Sequence, residues 1–256
     1  MSDMSNRHEP EKRQKELLEQ LYASSELTTF ELFRNFPAFT PRFNLARFLA
    51  HYELFKRIAD VPGVIVDCGV FQGGSTFTWA KLCEIFCPTD IRKTVFAFDT
   101  FEGFTSISPE DGPENPTQDV VPGGYFGGNS VEADLALAQD AMNQDRHLRH
   151  KNRIEFVKGD VSQTIPQFVA DKGDGLRIAL LNLDLDLYEP TRVALEHFVP
   201  RMARGGIIIV DEYAVDTFGG ETKAVDEYFA ARFGKKPRVV KFPWHSNPTG
   251  FIEVDW

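Results

Sequence analysis

Four short runs of branched and aromatic apolar residues stand out along the chain: Val64-Ile65-Val66, Val95-Phe96-Ala97-Phe98, Ile178 to Leu183, and Ile207-Ile208-Ile209-Val210. Each has the length of a strand, and the stretches between them leave room for helices, the alternation expected of βαβ units. Apolarity within each run is nearly continuous rather than alternating, so both faces of every strand should be covered, as in a parallel sheet. A weaker run at Arg153 to Val157 predicts one more strand. At the end of the chain, Arg238 to Phe242 and Gly250 to Val254 flank Pro243 and Asn247-Pro248, which predicts a short antiparallel hairpin at the sheet edge.

Ahead of the first strand the pattern is helical, over Glu11 to Ser24 and again over Asn44 to Ala59. Phe30, Phe33, Phe36, Phe39, Phe43, Phe48 and Phe55 crowd this region. Such a stripe fits a cap packed on the main domain or a subunit interface. Residues 105–129 lose all periodicity and fill with proline, glycine and acidic residues. A connection of that length inside a compact domain is a lid or a disordered segment, and the glycines around Tyr125-Phe126 favour a hinged lid. The expected organisation is a helical arm over 1–60, not independently folded, and one α/β domain over 61–256 carrying the lid.

A length of 256 residues suits one large domain with a full core. No run approaches the roughly 18 apolar residues of a membrane span, and the polar start from Met1 to Arg13 lacks a signal-peptide core, so a cytoplasmic protein without a membrane partner is expected. The three cysteines, Cys68, Cys83 and Cys87, form neither a disulfide framework nor a zinc ligand set. A net charge of −10 argues against nucleic acid, which calls for a concentrated basic face, and in favour of a small molecule.

Chemistry concentrates where the strands end. Asp184-Leu185-Asp186 follows one apolar run and Asp211-Glu212 the next. If those strands are neighbours, four carboxylates share a crevice, and like charges at that spacing need a counter-ion or shared protons. No lysine or arginine is interleaved, so a divalent metal is the simplest solution, and oxygen-only ligands favour Mg²⁺, Mn²⁺ or Ca²⁺ over zinc. Upstream, Val64 to Thr76 runs from strand through Gly69, Gly73 and Gly74 into a helix, a turn that lets a ligand approach backbone N–H groups. It has neither the lysine of a P-loop nor the Gly-x-Gly-x-x-Gly spacing of dinucleotide folds. Asp67 before the turn could hold an ammonium group, Asp99 at the end of the second strand could hold ribose hydroxyls, and Gly159-Asp160-Val161-Ser162 could meet an adenine edge. In order, these three strand ends ask for an adenosine bearing an amino acid.

At Asp67-Cys68-Gly69-Val70-Phe71-Gln72-Gly73-Gly74-Ser75, Phe98 to Gly103, Leu183 to Thr191 and Gly205 to Tyr213 the chain resembles class I S-adenosylmethionine-dependent methyltransferases, and more narrowly the macrocin O-methyltransferase (TylF-type) family of natural-product sugar methyltransferases. The resemblance spans roughly Pro41 to the C-terminus. It implies a Rossmann-like sheet, S-adenosylmethionine in a pocket lined by Asp67, Gly69, Gly73, Ser75, Asp99, Asp160 and Ser162, and a divalent metal, Mg²⁺, held by Asp184, Asp211 and Glu212. Asp186 would be the general base. The family often has Glu at the position of Asp67 and Asp at that of Glu212. A sugar diol chelating the metal is the expected acceptor, with a catechol-like acceptor or a catalytically silent S-adenosylmethionine-binding partner protein as alternatives. The resemblance and the Phe-rich arm together imply a homo-oligomer.

Overall fold

The computed structural model describes residues 9–115, 119–245 and 248–256. Residues 116–118 of the expected lid, 246–247 of the closing loop and the polar start before residue 9 lie outside the described residues.

Strands β1 (Val64–Cys68), β2 (Val95–Asp99), β3 (Ile154–Lys158), β4 (Ile178–Leu183), β5 (Met202–Val210) and β6 (Gly250–Glu253) form a single sheet in the order β3-β2-β1-β4-β5-β6. The first five are parallel, and β6 runs antiparallel to β5. The expected closing hairpin is reduced to one leg. Its first half makes a single bridge, Val240 to Phe251. Pro237 and Pro243 bracket that half and can donate no ladder hydrogen bond, which limits its pairing.

Helices cover both faces because alternate strand residues point to opposite sides and both sets are apolar. Val66, Phe98, Leu183 and Ile208 pack with Phe168, Phe198 and Phe229 from α7 (Val161–Lys172), α8 (Tyr188–Phe198) and α9 (Gly219–Phe233). Ile65, Ala97, Leu180 and Ile209 pack on the other side with Leu54, Phe55, Ile58, Trp79 and Leu135. These come from α4 (Arg42–Ile58), α5 (Gly74–Phe86) and α6 (Val131–Gln144).

Two helices of the arm follow the expected pattern, α1 (Glu9–Ser24) and α4, but two short ones, α2 (Thr29–Arg34) and α3 (Phe36–Phe39), fill the gap between them. Thr28 and Glu31 form a reciprocal capping box at the start of α2, a signature legible in the sequence. Neither α2 nor α3 buries a residue: Phe30 is 77% and Phe33 72% exposed. Among the described residues no helix is long and apolar enough to cross a membrane.

Candidate active site

The strand order reverses between β1 and β4, and in open α/β sheets ligands bind at the carboxyl ends of strands around such a switch point. A cavity of about 770 Å³ opens there. Its walls bring together Gly69, Ser75, Asp99, Asp160, Ser162, Asp184, Asp186, Asp211 and Glu212 of the sequence-predicted set. Asp67 and Gly73 do not line it.

Gly69 has φ +92°, and a Cβ there would lie 1.8 Å from the Asp184 carbonyl oxygen, so the β1 turn passes too close to the β4 end for any side chain. Asp99 reinforces that turn. One of its oxygens accepts from the Val70 and Phe71 N–H groups at 2.8 and 2.9 Å, the other from the Phe101 N–H at 2.7 Å. The acid expected to meet ribose is thus first a clamp on the glycine turn, with its remaining lone-pair capacity toward the cavity. Asp67 is fully buried behind the wall, where it accepts from Ser75 Oγ at 2.9 Å, Asn182 Nδ2 at 2.8 Å and Thr76 Oγ1. Burial pushes its pKa up to about 6 against the pull of these donors. Gly73 (φ +86°) starts α5 where a Cβ would sit 2.5 Å from Leu135 Cδ2, so it serves helix packing. Asp160 caps α7, accepting from the Ser162 N–H at 2.8 Å and from Thr105 Oγ1 at 3.1 Å.

The four carboxylates expected from the strand ends do converge, and their counter-ion is one the local sequence did not offer. Arg47 reaches in from α4 to place Nη2 2.7 Å from Asp184 Oδ2 and Nη1 3.2 Å from Asp211 Oδ2. Burial works against the arginine's charge, but Asp211, Asp184 and Glu212 outweigh it and raise its pKa. Asp184 is pushed up to about 7 by burial and by Asp211, with Arg47 pulling the other way. Both side chains keep about a quarter of their surface open, 25% for Arg47 and 24% for Asp184, so water in the cavity tempers that shift. Asp186 is more enclosed, and burial together with Asp184, Glu212 and Asp211 raises it well above the usual carboxylate range. Its backbone has φ +62°, and Leu187 N–H bonds back to Leu185 O at 2.6 Å, a tight γ-turn of the uncommon positive-φ kind. The chain therefore holds a strained conformation at the residue expected to be the base.

Three further residues escaped the strand-end reading. Glu221 on α9 is fully buried, accepts from the Glu212 N–H at 3.0 Å, and has one oxygen without a hydrogen-bond partner among the described residues. Burial, then Asp186, and further Asp211 and Glu212 raise its pKa well above the ordinary value, against the pull of the Glu212 N–H. His51 lines the cavity, rests on Trp79 with ring centroids 4.4 Å apart, and is kept neutral by burial and by Arg47. Arg47 was legible in principle: with Ala50, His51, Leu54, Phe55 and Ile58 it occupies the buried stripe of α4, where a charge needs a partner.

Of the expected lid segment, Thr105, Ser106 and Tyr125 line the cavity. Val120, Leu187 and Phe218 form a small core there with Phe104, Ile107 and Tyr125 packed on it. Tyr125 lies 5.3 Å from Phe104, 6.0 Å from Phe218 and 6.5 Å from Phe71, measured between ring centroids. Burial, then Asp186 and Glu212, raises the pKa of its hydroxyl, leaving a proton donor facing the acidic end.

A switch-point cavity with a clamped glycine turn on one side and a carboxylate cluster on the other thus sits at the carboxyl end of a Rossmann-like α/β sheet. Residues 51–238 match the family model described as macrocin O-methyltransferase (TylF), and the chain belongs to that family. It is 34% identical over 156 residues, 61% of its length, to 8-demethyl-8-(2,3-dimethoxy-alpha-L-rhamnosyl)-tetracenomycin-C 4'-O-methyltransferase of Streptomyces olivaceus. With mycinamicin III 3''-O-methyltransferase of Micromonospora griseorubida it shares 28% over 169 residues, 66% of this chain. These matches span 55% and 61% of the two relatives' own lengths. Among solved structures it is similar to CalS11, a calicheamicin methyltransferase, with TM-score 0.88 and 28% identity over 96% of this chain and 93% of that one. An apo structure of CalS11, described as a TDP-rhamnose 3'-O-methyltransferase in calicheamicin biosynthesis, aligns with TM-score 0.78 and 29% identity over 96% of this chain and 95% of that one.

Proposed function

We propose that this chain is an S-adenosylmethionine-dependent O-methyltransferase that methylates a hydroxyl of a sugar or a glycosylated natural product. The observation that carries the reading is the convergence of Asp184, Asp186, Asp211 and Glu212 in the same cavity as the Gly69 turn and the Asp160-Ser162 helix start. Family membership and the acceptors named for the similar proteins support it.

The turn and helix N-termini are suited to the amino-acid and adenosine ends of S-adenosylmethionine, leaving the sulfonium methyl to face the carboxylates. An acceptor hydroxyl held in line with the C–S bond loses its proton to Asp186 as the methyl passes to oxygen and the sulfur leaves as neutral S-adenosylhomocysteine. Holding the two reactants in line can supply about 7–11 kcal/mol. Closure of Tyr125 and its aromatic neighbours Phe104 and Phe218 over the reacting groups would exclude water during transfer.

Among the described residues no group of three or more His, Cys, Asp or Glu is arranged to hold a metal. The donor chemistry nevertheless fits one, because Asp184 and Asp211 already converge on a single positive centre, the Arg47 guanidinium. Asp184, Asp211 and Glu212 would hold a hard cation such as Mg²⁺, and such a cation polarises hydroxyl oxygens as a Lewis acid.

The test is methyl transfer from labelled S-adenosylmethionine to a panel of rhamnosides and nucleotide-linked rhamnose, with and without EDTA. Transfer to a sugar hydroxyl that falls at least about a hundredfold in Asp186→Asn, with cofactor affinity kept, is expected. Absence of cofactor binding would overturn the proposal.

A further inference from the structure

Asp111, in the turn Pro109–Asp111 of the expected lid segment, does not line the cavity, yet its carboxylate stands between the starts of two helices that do bear on it. Its Oδ1 accepts from the Tyr188 N–H at 2.6 Å, 77 positions away in the chain. Its Oδ2 accepts from the Ser108 N–H at 2.9 Å and from Ser108 Oγ at 2.6 Å, which fixes the carboxylate within its own turn. Neither α8 nor α9 has a side-chain cap from its own N-cap residue, Leu187 or Phe218. Asp111 supplies one to α8 from a distant segment and sets a negative charge at the positive end of that helix. On the α9 side the contact is Gly220, where a Cβ would lie 1.8 Å from Asp111 Oδ1 and 2.8 Å from the Tyr188 nitrogen. Gly220 is buried and its φ is not positive, so the close approach of the carboxylate, not the backbone conformation, calls for glycine there.

Both contacts lead within a few residues to the acids of the site. Tyr188 follows Asp186 by two positions, and Gly220 precedes Glu221, which accepts from the Glu212 N–H at 3.0 Å. The Asp186 carboxylate has no hydrogen-bond partner among the described residues, so its direction into the cavity rests on its backbone. That backbone holds φ +62°, a conformation that persists only where the surroundings over-determine it. The Leu187 N–H is taken up by Leu185 O, and the next N–H, that of Tyr188, is held by Asp111. We infer that Asp111 is a positioning residue that holds the Asp186 turn in its reactive conformation, resting on the O-methyltransferase reading above with Asp186 as base. Without it the first turn of α8 loses its cap, and the strained turn ahead of it is free to relax.

The test compares Asp111→Ala, Asp111→Asn, Gly220→Ala and the double alanine variant with the parent. Methyl transfer from labelled S-adenosylmethionine to thymidine diphosphate-rhamnose and to methyl rhamnoside is measured. Each kcat is divided by the number of S-adenosylhomocysteine sites counted by calorimetry, so unfolded protein drops out. Asp111→Ala should lower kcat per site about tenfold or more, with the KM for S-adenosylmethionine within about twofold of the parent. Asp111→Asn, which keeps an acceptor for the Tyr188 N–H, should stay within about threefold. Gly220→Ala should reproduce the loss, and the double variant should fall no further than Gly220→Ala alone, since both break the same contact. Amide exchange at Tyr188 should quicken about tenfold or more in Asp111→Ala. Parent kcat per site in Asp111→Ala, with any loss confined to the number of folded sites, overturns the inference, as do losses that multiply in the double variant. Unchanged exchange at Tyr188 also overturns it. No transfer by the parent, or full transfer by Asp186→Asn, would strike the proposed function instead, whereas exchange decides the contact without any turnover.

Discussion

Arg47 Nη2 stands 2.7 Å from Asp184 Oδ2 although the two residues are 137 positions apart in the chain. The pair ties the helical arm to the end of β4 and places a fixed positive charge among the acids of the proposed active site.

Removing that charge leaves Asp184 and Asp211 facing each other across a partly buried gap. Arg47→Gln should lower stability by about 1–3 kcal/mol, less than for a fully buried pair because a quarter of the Arg47 and Asp184 side chains is open, although Asp211 is almost wholly buried. If the cluster also takes a divalent cation, Mg²⁺ should raise the melting temperature of the variant more than that of the parent, since the guanidinium no longer competes. Thermal melts of both proteins with Mg²⁺ and with EDTA measure this, and an equal response in both would argue that Arg47 and the cation occupy separate places.

Gly69→Ala puts a methyl group where the Asp184 carbonyl oxygen lies 1.8 Å away, at φ +92°. Destabilisation of about 3 kcal/mol or more is expected, with loss of cofactor binding in whatever remains folded. Gly175→Ala, where a Cβ meets nothing within 4 Å, is the matched control and should change urea unfolding little.

Asp67 sets a pH dependence whose sign runs opposite to that of a salt-bridged acid. Its pKa rises from 3.8 to about 6 on folding, so the folded state holds the proton more tightly. The associated stability is full below about pH 4, is lost as pH rises through 6, and is then flat. Asp67→Asn, which keeps an acceptor for the hydroxyl donors, should flatten the slope between pH 4 and 6 by up to about 3 kcal/mol. Urea midpoints of both proteins at pH 4.5 and 7.5 read the difference.

Glu84 lies between Arg146 Nε at 2.9 Å and Arg153 Nε at 2.6 Å, both arginines almost wholly buried. Arg153 also donates to the carbonyls of Pro88, Asp90 and Lys93, pinning the approach to β2. Glu84→Ala should cost about 3–5 kcal/mol by stranding two buried charges. Cofactor affinity, measured well below the melting temperature, should be unchanged because the network lies away from the cavity.

The arm makes a separate prediction about assembly. Phe30 and Phe33 present apolar faces that nothing among the described residues covers, and a second copy of the chain is the proposed cover. Light scattering should report a dimer or larger species that shifts toward monomer in Phe30→Ser with Phe33→Ser; a monomeric parent at working concentration would refute this.

What the sequence determined by itself was short-range. Apolar runs with both faces covered marked β1, β2, β4 and β5, and the acids just beyond them marked where chemistry would gather, because strand polarity and strand ends are local properties. The Thr28-Glu31 box and the stripe position of Arg47 were equally local, and legible. Tertiary structure alone decided how those groups are used. Asp67 faces inward to hydroxyl and amide donors and Asp99 turns to three backbone N–H groups because the β1 turn needs them there. The cation among the carboxylates is Arg47 because α4 packs over the end of the sheet, a contact between segments far apart in the chain that no local pattern encodes.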